Sequence, residues 1–537
     1  MAQTITPKDP AAAVTARPEV GNALPDTIDM SKLIAFFFMV FGMFMAILDI
    51  QVVSASLAEI QAGLSATPDQ VAWVQTSYLI AEVIMIPLSG ILSRAFSTRY
   101  LFAASCAGFT FASFLCSQAT TLDQMIVFRA LQGFIGGAMI PTVFASAYTI
   151  FPRSKMPVIT PIIGLVATLG PTIGPTIGGY LTEMLSWHWL FLINIIPGIL
   201  VTTATWFLVD FDQPDLAILE TFDWTGLFGM AAFLGALEYT LEEGPQKNWF
   251  ADSTITLTAT ISAAGAIVFF WQAFRSKHPI VDLSTFRNRN FWTGSILSFV
   301  MGIGLYGLTF LYPVYLARVR GYDSLQIGET MFISGLTMFI SAPIVGRLIT
   351  RMDPRIMIAL GFAGFSLGTY LASFITKDWD FWELLVPQLL RGGSLMLCMV
   401  PINNLALGTT PLAKMKNASG LYNLTRNLGG AVGLAMINTM INNRLDLHLQ
   451  RLRDDFNWSR PIAVQRLAGM TRAFASLGTN AHLAAIRQMM LLVRQQATVM
   501  SLADVFYVLT WLFLSLIVLT PLMQRPKPGA APAGGGH

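Results

Sequence analysis

Charge is scarce in this chain. Only 12% of its 537 residues are Asp, Glu, Lys or Arg, about half the roughly 25% of an ordinary soluble globular protein, and that shortfall excludes a cytosolic enzyme. The net charge is only +3, and the basic residues are dispersed, so a nucleic-acid binder is excluded as well. The three cysteines, Cys106, Cys116 and Cys398, fall inside apolar blocks without CxxC or Cys/His spacing, which points to neither a disulfide framework nor a zinc site. The five histidines, His188, His278, His448, His482 and His537, form no ligand-spaced cluster. No G-x-x-x-x-G-K-[ST] phosphate loop is present, so ATP hydrolysis within the chain is not expected, and no cofactor is expected either. The first 30 residues are rich in Ala, Pro and Thr and lack the basic n-region and short apolar core of a removable signal peptide.

Apolar side chains are what the chain has in quantity. They make up 54% of it, with a mean hydropathy of +0.60, in blocks such as LIAFFFMVFGMFMAIL and WLFLSLIVLTPLM. A bilayer core about 30 Å thick takes about 20 such residues per helix. Fourteen segments qualify: 33–56, 71–92, 100–118, 122–150, 158–181, 188–209, 224–241, 253–274, 290–315, 325–349, 356–375, 381–408, 417–441 and 502–523. The weakest is 224–241, which is short and ends in Tyr239, Leu241 and the acidic pair Glu242 and Glu243.

The basic residues test that count, because Lys and Arg in short loops bias those loops to the cytoplasm. With a cytoplasmic N-terminus, eighteen fall in inside loops and tails: Lys8, Arg17, Lys32, Arg94, Arg99, Arg153, Lys155, Arg275, Lys277, Arg287, Arg289, Arg347, Arg351, Arg355, Lys414, Lys416, Arg525 and Lys527. Only Lys247, Arg318, Arg320 and Lys377 fall in short outside loops. Both termini are therefore expected in the cytoplasm. Eight further arginines lie in 442–501, a long outside segment, and long loops translocate largely regardless of charge. Three arginines remain, Arg129, Arg391 and Arg426, all within spans. A charge at membrane depth costs about 2.5–3.5 kcal/mol on the gentler insertion scale, so these are functional candidates. Asp49 and Glu82, also mid-span, join them. Glu82 would serve either protonation or a cationic substrate, or be a carboxyl kept neutral by a polar neighbour. Arg391 and Arg426 are expected to pair with backbone carbonyls or with acids of adjacent spans.

The chain also repeats itself. GILSRAFSTR follows the second span and GRLITRMDPR the tenth, with Gly90 and Arg99, like Gly346 and Arg355, nine apart. Arg129 and Arg391 recur at nearly the same offset, each followed by glycines and a proline. Six spans plus six, with a pair inserted at 224–274, account for fourteen. Repeated halves around a midplane site are the architecture of many secondary transporters.

Several segments resemble the major facilitator superfamily, and within it the fourteen-span drug:proton antiporters of the EmrB/QacA type. LDIQVVSASLAEI resembles LDxTxxNxALP and puts Asp49 on the family's membrane-embedded acid. RALQGFIGGAMIP resembles RxxQGxgaa, with Arg129 as its arginine. GPTIGPTIGG matches the antiporter pattern GPxxGPxxGG through Gly170, Pro171, Gly174, Pro175, Gly178 and Gly179, the most specific match in the chain. SWHWLFLINIIP is similar to sWRWiFxiNxP with His188 for Arg, and HPIVDLSTFRNRNF and LYNLTRNLGGAVG also resemble the family. GILSRAFSTRYLF resembles GxLaDRxGRkxxl, but Arg94 stands where the pattern has Asp and Ser97 where it has Gly. The family's usual salt-bridge latch is thereby not carried over.

The resemblance implies an all-α integral membrane protein of the major facilitator fold with fourteen transmembrane helices, two six-helix bundles plus two inserted helices. The boundaries expected are a disordered cytoplasmic tail over 1–31, an N-terminal bundle over 32–210 and inserted helices over 211–275. A C-terminal bundle follows over 276–523, containing a long periplasmic loop at 442–501, and a cytoplasmic tail over 524–537. It implies proton-coupled export of lipophilic or amphipathic toxic compounds across a bacterial inner membrane. The implied partners are small lipophilic substrates, membrane lipids, a periplasmic adaptor (membrane fusion protein) and an outer-membrane channel, with no nucleic acid. Asp49, Arg129 and Glu82 are the proton-coupling candidates. In 170–179 the glycines at i, i+4 and i+8 leave a ridge for close helix approach, and the prolines permit a bend, as a gate requires. A merely kinked packing helix is the plain alternative. The 26 methionines and 12% aromatics suit a forgiving apolar cavity. AHLAAIRQMMLLVRQQATVM, in the outside segment, has helical apolar spacing and would pack on the transporter, lie on the membrane or dock a partner. The rival functions are a facilitator-type importer or symporter of a small metabolite, and a membrane-embedded enzyme or assembly factor.

Overall fold

A computed structural model describes residues 29–454 and 460–524. The rest of the two expected tails, 1–28 and 525–537, with Lys8, Arg17, Arg525 and Lys527, lies outside the described residues. Long helices account for nearly everything described. In chain order they are α1 (Met30–Ala55), α2 (Trp73–Ala95), α3 (Ser97–Ser117), α4 (Leu122–Ile150), α5 (Met156–Met184), α6 (Trp189–Leu208) and α7 (Trp224–Glu243). The second seven are α8 (Ser253–Arg275), α9 (Arg289–Tyr315), α10 (Ser324–Leu348), α11 (Pro354–Ala372), α12 (Phe381–Ala406), α13 (Met415–Asp454) and α14 (Ala481–Leu516). Twelve of them are long and apolar enough to cross a membrane by length and composition alone. The other two, α7 with three glutamates near its end and the largely polar α13, complete the fourteen.

The scarce acids are placed where helices need them. The carboxylates of Asp29, Asp223, Asp252, Asp323, Asp353 and Asp380 accept backbone N–H groups at the starts of α1, α7, α8, α10, α11 and α12. Each satisfies otherwise orphaned donors and faces the positive end of the helix dipole. Charge thus collects at the ends of the bundle, and the middle is left to apolar packing. Cys106, Cys116 and Cys398 are all buried in it.

The two halves meet through crossed pairs of helices: α2 packs on α13 and α5 on α10. The sequence repeat explains the pairing. A Cβ on Gly90 of α2 would lie 3.1 Å from the backbone of Lys416 and Asn417 at the start of α13, and one on Gly346 of α10 would lie 2.5 Å from the Pro157 carbonyl oxygen at the start of α5. Each repeated glycine therefore lets one half touch the backbone of the other. The inserted helix α7 packs on both α2 and α13, across the line between the halves, while α8 leans on α7 and buries only Ile255, Ser262, Gly265 and Phe269.

Where a long loop was expected over 442–501, the structure has helices. α13 runs unbroken for 40 residues, about 60 Å at 1.5 Å per residue, twice the thickness of a bilayer core. It and α14 project together beyond the bundle, at the end opposite to the start of α1. A short helix, Pro461–Ala473, packs on α14 around Leu467, Ala485 and Met489. His448 of α13 meets Asp504 of α14 at 2.9 Å. Low hydropathy and frequent arginine gave this segment the look of a loop, but its apolar residues keep helical spacing, and a helix satisfies its own backbone in water as in lipid.

Candidate functional site

Asp49 and Arg129 are 80 residues apart in the chain and in contact in the fold. Asp49 lies inside α1 and Arg129 inside α4, and Arg129 Nη1 reaches Asp49 Oδ2 at 2.6 Å with both side chains fully buried. Three neutral groups complete the site. Asn194 Nδ2 donates to Asp49 Oδ1 at 2.8 Å, Gln132 Nε2 donates to the same oxygen at 3.1 Å, and Arg129 Nη1 donates to Gln132 Oε1 at 2.7 Å. Ser113 Oγ accepts from both amides, at 2.7 Å from Gln132 and 3.3 Å from Asn194. Arg129 Nε donates to the Val74 carbonyl of α2 at 3.1 Å, and its guanidinium lies 4.3 Å from the centre of the Tyr78 ring.

This network binds five helices, α1, α2, α3, α4 and α6, around one carboxylate. It is not saturated: Arg129 Nη2 and the Tyr78 hydroxyl are buried without a partner among the described residues. Breaking a buried ion pair by removing one charge costs about 3–5 kcal/mol, because the other is left uncompensated. Protonation of Asp49 would do this without any mutation. Sequence reasoning singled out the two charges and passed over Ser113, Gln132, Asn194 and Tyr78. Gln132 and Asn194 lie inside the quoted motifs RALQG and FLINIIP, so a signal for them existed.

The glycine ridge of α5 rests on the same stretch of α1. A Cβ on Gly170 would come within 2.6 Å of Ile47 Cγ2, one on Gly174 within 2.5 Å of Gln51 Cβ, and one on Gly178 within 2.8 Å of the Val52 carbonyl oxygen. These neighbours bracket Asp49 on both sides. Gly179 and Pro171 are buried beside them, and Pro175 partly so. α5 stays a single 29-residue helix through Pro161, Pro171 and Pro175. Its other side carries Thr172 and Thr176, which close on Gly335 and Gly328 of α10. α5 is thus held between the Asp49 helix and the opposite half.

The remaining charges are distributed differently. Glu82 of α2, 97% buried, makes no hydrogen bond or ion pair among the described residues. Arg391 and Arg426, expected to pair with backbone carbonyls or acids, find neither. Arg391 Nη2 donates to Thr309 Oγ1 at 2.6 Å and Nη1 to Gln388 Oε1 at 3.4 Å, beneath the Tyr312 ring. Arg426 Nη2 donates to Asn423 Oδ1 at 2.5 Å, its guanidinium stacks 5.2 Å from the centre of the Phe144 ring, and Nη1 has no partner among the described residues. Neither makes an ion pair among the described residues, and neutral acceptors and aromatic faces hold them instead. Arg391 repeats the position of Arg129, but the second half has no counterpart of Asp49.

A latch also exists at the end of the bundle where α1 begins, built from a residue outside the motif. Asp212, in the acidic stretch DFDQPD, accepts the Thr98 backbone N–H at 3.0 Å and pairs with Lys416 of α13. Lys416 also donates to the Ser93 carbonyl at 2.7 Å. Arg99 pairs with Asp210 at 3.1 Å. The acid missing at position 94 is therefore replaced from the α6–α7 connection. Ser97, where the family pattern has glycine, takes a φ of 72°, which costs a non-glycine residue about 1–2 kcal/mol.

Comparison with known proteins fits this geometry. The profile of the Major Facilitator Superfamily matches residues 39–434. The chain is similar to the colistin resistance protein EmrB of Acinetobacter baumannii, 42% identical over 489 residues, 91% of this chain and 96% of that one. It is also similar to the multidrug export protein EmrB of Haemophilus influenzae, 27% identical over 90% of this chain and 94% of that one. Its fold resembles the crystal structure of the human organic anion transporter MFSD10 (TETRAN), with a TM-score of 0.55 at 13% identity over 90% of this chain and 99% of that chain.

Proposed function

Because the chain belongs to the major facilitator superfamily, in its EmrB/QacA-type branch of drug:proton antiporters, we propose that Asp49 couples proton entry to the export of lipophilic or amphipathic toxic compounds by alternating access. The protein is a multi-pass membrane transporter and not an enzyme. One relative is named for colistin resistance and another for multidrug export, which supports drug-type substrates here.

The observation that carries the coupling is the buried Asp49–Arg129 pair lodged against the glycine ridge of α5. A proton arriving at Asp49 cancels the charge that holds Arg129. The guanidinium, with one nitrogen already unpaired, then seeks new partners. α1 cannot shift without sliding along α5, because the two backbones touch at Gly170, Gly174 and Gly178, and α5 transmits the displacement to α10 in the other half. The energies are of comparable size. One charge crossing 100 mV yields about 2.3 kcal/mol and a tenfold concentration difference about 1.4 kcal/mol, against about 3–5 kcal/mol to separate a buried pair. A single proton per cycle is of the right order to drive the switch.

The assembly follows the same reading. The basic end and both termini lie in the cytoplasm, and the projecting α13–α14 hairpin lies in the periplasm, where it meets an adaptor that leads to an outer-membrane channel. The halves are 32–210 and 276–523, with 211–275 inserted. The coupling is tested with purified full-length protein in proteoliposomes holding a pH dye. Asp49→Asn abolishes substrate-driven proton movement while leaving the protein folded; unchanged proton movement would overturn the assignment.

A further inference from the structure

The projecting α13–α14 hairpin encloses apolar surface that its own packing does not cover. The short helix Pro461–Ala473 closes on α14 around Leu467, Ala485 and Met489. Between it and the two long helices lies a cavity of about 760 Å³, within the roughly 300–1,000 Å³ of ordinary ligand pockets. Leu445 and Leu449 of α13, Val464 of the short helix, and Met490 and Val493 of α14 supply its apolar walls. Met490 is 59% exposed and the adjoining Leu491 54%. Apolar side chains left open in a concave site mark a place for a ligand.

Charge on those walls is one-sided. Arg453 of α13 and Arg487 and Arg494 of α14 line the cavity against a single acid, Asp446. The ion pairs of the hairpin lie nearer its root, where Asp504 takes His448 at 2.9 Å and Arg444 at 3.6 Å. Arg453, Arg487 and Arg494 join no ion pair and donate no side-chain hydrogen bond among the described residues. An arginine lays its methylene stem on apolar surface and keeps its guanidinium in water, so the three give an apolar cavity a cationic rim. The cavity also stands clear of the bilayer. Leu445 and Arg453 follow Ile441, where the apolar segment of α13 ends, by about 6 and 18 Å at 1.5 Å per residue. Headgroups add only about 5–8 Å on each side of the hydrocarbon core. A lipid seated in the bilayer reaches the near edge at most, and an occupant of the whole cavity comes from the water.

We propose that this cavity binds a free single-chain amphiphile with an anionic head, of the fatty-acid type. Its chain lies among Leu449, Val464 and Met490, and its head meets the guanidiniums of Arg453, Arg487 and Arg494. A guanidinium takes a carboxylate through paired, charge-assisted hydrogen bonds, and burying each methylene of the chain gains about 0.8 kcal/mol. A cationic amphiphile fits the apolar walls equally well but faces three arginines. A partner protein is the poorer fit, because stable interfaces bury about 800 Å² on each partner and this site is a notch among three helices of one chain. The site lies outside the Asp49 network, so it goes beyond the export reading and does not rest on it.

The test uses the full-length protein in nanodiscs of zwitterionic lipid and two photoreactive diazirine probes with the same dodecyl chain, one ending in a carboxylate and one in a quaternary ammonium. Crosslinked peptides are mapped by mass spectrometry. In the wild type the carboxylate probe labels 445–453 and 486–494, and does so at a lower concentration than the ammonium probe. Arg487→Gln with Arg494→Gln raises the half-maximal concentration of the carboxylate probe about tenfold or more, as loss of charged hydrogen bonds requires, and leaves the ammonium probe unchanged. Lysines at the same two positions keep most of the preference. Val464→Trp, which fills the cavity from an exposed position on the short helix, abolishes labelling by both probes. Absence of labelling in the wild type, equal labelling by the two probes, or labelling unchanged in the arginine or Val464 variants overturns the site. Displacement by dioctanoyl phosphatidylglycerol at lower concentration than by dodecanoate makes a bilayer lipid the occupant and overturns it too. Protection by an adaptor but not by dodecanoate makes the notch a protein interface, with the same consequence. Asp49→Asn labels as the wild type does; labelling lost in that variant assigns the probe to the transport path and overturns the site. Export that persists in Asp49→Asn refutes the coupling role and leaves the site standing.

Discussion

Replacing Gly174 by alanine tests the seam between α1 and α5 with a single methyl group. The added Cβ falls 2.5 Å from Gln51 Cβ and 3.4 Å from the Gln51 carbonyl carbon, roughly 1 Å inside the 3.5–4.0 Å of ordinary carbon contact. Both nearby atoms belong to the backbone or its first side-chain carbon, so no flexible tip can move aside. Overpacking of this kind costs about 1–3 kcal/mol. The helix propensity returned by Gly→Ala, about 1 kcal/mol, is gained in every conformation in which α5 is helical and so biases none. The steric penalty applies only where α1 and α5 lie this close, and a difference of 1–3 kcal/mol between two states shifts their ratio roughly 5- to 150-fold. Gly164→Ala on the same helix is the control, since its nearest neighbour is Met399 Sδ at 3.7 Å. Proton-driven transport in proteoliposomes should fall about tenfold or more in Gly174→Ala, with substrate affinity changed less than rate, while Gly164→Ala stays within about twofold of wild type. Equal transport by the two variants, at equal stability and insertion, would refute the seam as a moving part.

Two further outcomes follow from the ends of the bundle. Lys416→Ala removes the contacts to Asp212 and the Ser93 carbonyl and weakens the latch by about 1 kcal/mol, raising maleimide labelling of a cysteine introduced at Ser89 roughly fivefold. The three native cysteines are buried and give little background, and unchanged labelling would show that the latch does not hold the halves together. Deleting 455–495 leaves the protein inserted but abolishes crosslinking to the proposed periplasmic adaptor in native membranes; crosslinking that persists refutes the docking role of this segment.

Much of the site was legible one residue at a time. Asp49, Glu82, Arg129, Arg391 and Arg426 stand out because a charge in hydrocarbon is costly, and that cost needs no coordinates to reckon. Gln132, Asn194 and Ser113 carry no such signal, since neutral amides and hydroxyls are common in membrane helices. Asp212 was hidden because it lies outside the motif that it completes. The α13–α14 hairpin was legible as amphipathic spacing and not as two continuous helices, because hydropathy measures the affinity of a segment for lipid and not the continuity of its backbone.

The amino-acid sequence by itself determined the fourteen-helix membrane architecture, its internal repeat and most of the short inventory of intramembrane charges. These depend on transfer free energies and on local backbone hydrogen bonding, which each segment settles alone. Only the tertiary structure decided which charges meet. Asp49 finds Arg129, Arg391 finds Thr309 and an aromatic ring, and Glu82 meets no hydrogen-bonding or ion-pair partner among the described residues. An electrostatic contact depends on a few ångströms between segments 80 or more residues apart, and that distance is set by how glycine ridges let whole helices approach.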